Sequence, residues 1–133
     1  MHSEHLTNLH PGWVVGGWLL AIAVTGAVYL AGVGLGLAAA DDRAVLWVTV
    51  SIAVGFFTGG MFVGLRWSEA PVLHGAAITF FSVIVWFAAA LLGEPVTPDS
   101  AALALGLVLL QLAASVAGGW TGRRVALGGA VGE

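Results

Sequence analysis

Cysteine and lysine are both missing from these 133 residues, and charged side chains make up only 8% of them. Without cysteine there is no disulfide framework, no thiolate metal site and no cysteine nucleophile. With only four Arg against seven acidic residues there is no basic patch, which excludes nucleic acid as a partner and argues against recognition of acidic lipid by a polybasic segment. Soluble domains carry about 25% charged residues. Eleven charges are too few to build a water-facing shell around a chain that is 59% hydrophobic, so a soluble globular fold is excluded as well.

The charges that do occur are clustered, and the uncharged gaps between the clusters are the main signal. They run over 5–40, 44–65, 70–93 and 100–122. Each is long enough to cross a bilayer, which takes roughly 20 apolar residues in a helix. The expected fold is therefore all-α: one integral membrane domain over 1–133, built as an up-down-up-down bundle of four transmembrane helices. The spans are placed at about Trp13–Leu37, Val45–Leu65, Val72–Leu92 and Ala101–Gly119. The N-terminal segment lacks the basic residues of a signal peptide, and the apolar run behind it is too long for one, so the first span is expected to remain.

Between the spans, Pro11 and Pro71 suit first helical turns, where a missing N–H costs nothing. Asp41-Asp42-Arg43 reads as a short loop, Gly93 to Ser100 as a longer one, and Ser100 as the cap of the last span. Connections this short imply antiparallel neighbours. Arg66, Arg123 and Arg124 fall on one side of the membrane and Arg43 on the other. The positive-inside rule then puts both termini in the cytoplasm, in a bacterial inner membrane. Trp13, Trp47, Trp67 and Trp120, with Arg66, Arg123 and Arg124, read as anchors at the membrane surface. Trp18 and Trp86 are placed deeper.

Glycine is the abundant positive feature, with 20 residues. Gly-x-x-x-Gly spacings occur at Gly12/Gly16, Gly32/Gly36, Gly55/Gly59, Gly60/Gly64 and Gly118/Gly122. Lipid does not drive apolar helices together, so association rests on close backbone approach and dispersion, which small residues permit. These positions are expected to pack helices, within the bundle or also against another subunit. The run from Gly59 to Arg66 resembles Gly118 to Arg124 after deletion of one residue, which suggests a duplicated hairpin with a parallel two-fold relation.

Polar groups within the spans are mostly hydroxyls, which can bond their own helix. Gln111 needs a partner elsewhere and shares a stripe with Ala104, Val108, Ser115, Gly118 and Gly122. Its two readings are an interhelical hydrogen bond and a contact to a ligand or ion. No Asp, Glu, Lys, Arg or His lies in the middle of a span, whereas ion and proton carriers usually need such a group. No hydrolase elbow, phosphate loop or pair of catalytic carboxylates is present, so an enzyme is not expected.

The four histidines are His2, His5, His10 and His74. His2 and His5 with Glu4 offer an incomplete ligand set, and no metal site is expected. His10 and His74 each sit just before a Gly at the start of a helix that runs from inside to outside. They read as interfacial caps or, alternatively, as axial ligands to a haem or to the magnesium of a pigment. Bound lipid is expected, with pigment or haem as the further candidates.

The segment Gly59 to Arg66, followed by Leu73-His74-Gly75-Ala76, resembles a family of small four-span bacterial integral membrane proteins of uncharacterised function. The resemblance implies the four-span bundle and no activity. Taken together, these features point to a non-catalytic accessory subunit that packs against larger partners in a bacterial membrane complex of respiratory or photosynthetic type. The alternative is a homodimeric channel or carrier for a neutral or weakly polar solute, with a path through Gln111, Ser115, Thr58 and Ser82.

Overall fold

The computed structural model describes residues 5–38, 41–67, 69–93 and 97–129. Four helices follow a short 3-10 turn at Leu6–Asn8: α1 Pro11–Gly34, α2 Asp41–Arg66, α3 Pro71–Ala90 and α4 Pro98–Gly129. All four are long and apolar enough to cross a membrane, and there is no strand among the described residues. The protein is an all-α, multi-pass bundle.

Helix ends depart from the expected spans for local reasons. Helix α1 stops at Gly34, three residues early, because Gly36 adopts φ +72 and closes a Schellman motif. The Leu37 N–H bonds the Gly32 carbonyl at 2.8 Å and the Gly36 N–H bonds the Val33 carbonyl at 3.0 Å. Gly36 is thus a helix stop and not a packing position. Helix α2 takes in the expected loop Asp41-Asp42-Arg43 as its first turn.

Helix α4 begins at Pro98, capped by Thr97 and not by Ser100. The Ser100 N–H bonds Thr97 Oγ1 at 3.2 Å and the Thr97 N–H bonds Ser100 Oγ at 2.9 Å, a reciprocal capping box. It then continues ten residues past Gly119, since no proline or turn interrupts it. Its 32 residues span about 48 Å, against a hydrocarbon core of about 30 Å.

The helices alternate in direction, but their order around the bundle is α1, α2, α4, α3. The most extensive contact joins the parallel pair α2 and α4, while α2 and α3 meet slightly and α1 and α4 hardly touch. A short connection forces two helix ends together without forcing the helices to pack, and here backbone approach at glycine decides the neighbours.

The core of Val14, Ala21, Phe56, Val63 and Ile78 lies in the half nearer the α2–α3 turn. Elsewhere apolar side chains face outward, including Leu30, Phe80 and Leu92. That is the inverse of a soluble protein and fits a lipid surround.

Candidate functional site

Three arrangements put polar or small side chains into defined geometry. The first is the α2–α4 seam. A Cβ added to Gly60 would meet the Ser115 carbonyl oxygen, and one on Gly64 would meet that of Gly119. Conversely, a Cβ on Gly118 would meet the Phe57 carbonyl and one on Gly122 that of Met61. These contacts map onto each other by a shift of 58 residues, since Gly60 pairs with Gly118 and Gly64 with Gly122. The local two-fold is therefore ungapped. The outer helices follow the same relation more loosely: α1 packs on α2 as α3 packs on α4, while the cross pairs α1–α4 and α2–α3 are the weak ones.

Helix α2 presents a second small face to α1. A Cβ on Gly59 would meet the Gly17 carbonyl, and one on Gly55 would strike Thr25 and the Ala21 carbonyl. The two glycine pairs of α2 are five residues apart, so they point roughly 140° from each other and serve two neighbours. At Gly32 the partner is a ring: Trp47 lies against it and donates from Nε1 to the Val28 carbonyl at 3.1 Å. Gly12 and Gly16 face open space.

The second arrangement is a latch at the α2–α3 turn. His74 is fully buried. Its Nε2 accepts the His10 backbone N–H at 3.1 Å and its Nδ1 donates to the Ala70 carbonyl at 2.9 Å. These partners set the neutral Nδ1–H tautomer, because an N–H can only donate and a carbonyl can only accept. Both ring nitrogens of His74 are thus engaged by backbone groups. It reaches back to the start of α1 and so ties α1 to α3.

His10 is the N-cap residue of α1 without a side-chain cap bond, and its ring stacks edge-on against Trp67 at 4.4 Å. Trp67 in turn donates from Nε1 to the Asn8 carbonyl at 3.3 Å. Ala70, at φ 49, is the one non-glycine residue with positive φ among those described. It precedes Pro71, whose ring bars the right-handed helical region to its neighbour. His5 lies at the start of this segment, while His2 and Glu4 lie outside the described residues. Among the described residues no three His, Asp or Glu side chains converge on a metal-sized site.

The third arrangement is a pair of clefts flanking the second half of α3, which stands off from both α1 and α4. One, about 260 Å³, lies between α3 and α4 with Ile52 of α2 at its floor; Gln111, Trp86 and Ala104 line it. The other, about 440 Å³, lies between α1 and α3 and is lined by Trp18, Ile22, Val85 and Ala89. Ser82, Trp86 and Ala90 contribute to both. Trp86 sits one turn from the end of α3 and is 61% exposed.

Two buried polar atoms at these clefts have no hydrogen-bond partner, Gln111 Oε1 and Trp18 Nε1. The interhelical bond expected of Gln111 is made by its neighbour one turn on. Ser115 Oγ donates to the Gly75 carbonyl at 2.8 Å and lies 2.9 Å from Thr79 Oγ1, joining α4 to α3. Thr58 bonds the Val54 carbonyl of its own helix. Of the four residues expected along a solute path, Gln111 and Ser82 share a cleft while Ser115 and Thr58 are committed to packing.

The surface anchors divide likewise. Trp120 is 48% exposed with the Arg124 guanidinium 3.6 Å from its ring centre, and Arg66 is exposed. Trp13 is half-buried beside Phe62, Arg123 is half-buried, and Trp47 and Trp67 face inward. No signal of period or composition separates these two kinds of Trp, since both fall near span ends. No family model, no curated protein and no solved structure matches this chain.

Proposed function

We propose that the protein is a non-catalytic accessory subunit of a bacterial inner-membrane complex, acting by packing its helices against those of larger partners. The observation that carries this reading is the α1–α3 cleft, where Trp18 Nε1 is buried without an acceptor beside the small residues Ala89 and Ala90. An unpaired donor in an apolar surround costs about 1–3 kcal/mol. A partner helix carrying a hydroxyl or an exposed carbonyl would fill the cleft and accept that bond, and small side chains on both sides would let the backbones approach. The bundle interior supports the same reading. It is closed by backbone contact along the α2–α4 glycines, and the hydroxyls of Thr58 and Ser115 bond helix carbonyls. Both termini would lie in the cytoplasm, with lipid covering the remaining apolar surface.

The test is purification from the native membrane in mild detergent, followed by native mass spectrometry and an absorption spectrum on the same fraction. A stoichiometric larger assembly is expected, and Ala89→Trp, which fills the α1–α3 cleft, should release the subunit from it. A homodimer without other subunits overturns the reading and favours the solute-carrier alternative, to be pursued by liposome flux.

A further inference from the structure

The cleft on the other side of α3 has a different character, because the unpaired atom of a residue that lines it is an acceptor. Gln111 is only 5% exposed, it lines the cleft, and its Oε1 has no partner. Neither Ser115 nor Thr79, the nearest hydroxyl pair on α3 and α4, is available, since they bond each other and the Gly75 carbonyl. The open volume is about 260 Å³, well above the roughly 150 Å³ that suffices for benzene in an apolar cavity.

Its shape follows from the α4 stripe that forms one wall. Ser100, Ala104 and Gln111 line it, and eleven residues of helix separate the first from the last, about 16 Å of rise. Small side chains on α4 face the aromatic Trp86 and Phe87 of α3 across the gap. Among the described residues the polar lining is Gln111, Ser82 and Ser100, with Ser100 at the far end. A bound water needs two to four polar partners, and the inner end offers Gln111 and Ser82 alone. Among the described residues no charged side chain lines the cleft, so an ionic ligand would meet hydrocarbon-like walls there without a counter-charge.

We infer that this cleft binds a neutral lipophilic molecule bearing a hydroxyl, an alcohol or phenol whose O–H donates to Gln111 Oε1 while its apolar body lies against Trp86 and Phe87. The hydroxyl satisfies a buried acceptor that the fold leaves without a partner, and the body replaces void with dispersion contacts. Ser82, Trp86 and Ala90 line both clefts, and the α4 wall with Gln111 and Ala104 is what sets this site apart from the proposed partner face.

The probes are 4-bromophenol and 4-bromotoluene, which differ in the donor, titrated into the detergent-solubilised protein while tryptophan emission is followed. Bromine quenches a nearby indole, so occupancy next to Trp86 gives saturable quenching that Trp86→Phe removes. In the unaltered protein 4-bromophenol should bind about five- to tenfold tighter, the ratio expected of one hydrogen bond. Gln111→Leu should abolish that preference while leaving 4-bromotoluene binding in place, and Gln111→Met serves the same purpose if the leucine variant does not fold. Ala104→Phe, which fills the cleft without touching the amide, should abolish saturable quenching by both probes. Absence of saturable quenching in the unaltered protein, or a preference that survives Gln111→Leu, overturns the assignment.

Discussion

Replacing Gly60 by Ala tests the central claim that α2 and α4 are held by backbone approach. The new methyl would be built onto the Ser115 carbonyl oxygen, part of a helix that can yield only by moving its axis. Overpacking a rigid contact costs about 1–3 kcal/mol, and this site belongs at the upper end because the obstacle is backbone. Against that stands a gain of about 1 kcal/mol in helix propensity from Gly to Ala. The net loss is about 2 kcal/mol. Gly16→Ala is the internal control, because nothing lies within 4 Å of its added Cβ and only the propensity gain, up to about 1 kcal/mol, remains.

The two variants should therefore differ by about 3 kcal/mol with opposite signs, although both are Gly→Ala at a Gly-x-x-x-Gly position. Unfolding followed by circular dichroism during titration of denaturing detergent into mild detergent resolves a difference of that size. Gly118→Ala should match Gly60→Ala, since its added methyl meets the Phe57 carbonyl. The double variant should lose less than the two singles together, because helices already forced apart accommodate the second methyl. Equal stability of Gly60→Ala and Gly16→Ala would refute the seam.

Three further outcomes follow from local geometry. His74→Phe keeps the volume but leaves the His10 N–H without its acceptor, so hydrogen exchange at the start of α1 should speed up and stability should fall by about 1–3 kcal/mol. Gly36→Ala forces a Cβ into the left-handed region and should cost about 1–2 kcal/mol, seen as fraying of α1 near Gly34 by exchange at the Gly36 and Leu37 amides. Ala70→Gly relieves the strained residue before Pro71 and should be neutral to slightly stabilising, in contrast to Ala→Gly within any helix, when both are compared by thermal unfolding.

Much of the candidate site lay beyond reach of pattern reading. Gln111 stood out because an amide within an apolar span needs an external partner, but the stripe it shares with Ser115 looked equally suited to both. Only the placement of α3 shows Ser115 taking the interhelical bonds while Gln111, one turn away, opens into a cleft. His74 offered a possible ligand by residue type, and its two ring partners come from residues 64 and 4 positions away in the chain. The Ala70 and Thr97 roles left little trace beyond the proline that follows each.

Four spans, an all-α fold and a lipid surround were determined by composition and by the spacing of eleven charges, because hydrocarbon admits few charged groups and leaves a helix as the only way for each uncharged run to satisfy its backbone. Which of the glycines touch a neighbour, the order α1, α2, α4, α3, and the two clefts beside α3 were decided by the tertiary structure alone. Gly12/Gly16 and Gly60/Gly64 have the same spacing in the same kind of helix, yet only the second pair meets a backbone. A period along one helix marks a face. What that face meets depends on how all four helices share a limited number of close contacts, and no local pattern carries that information.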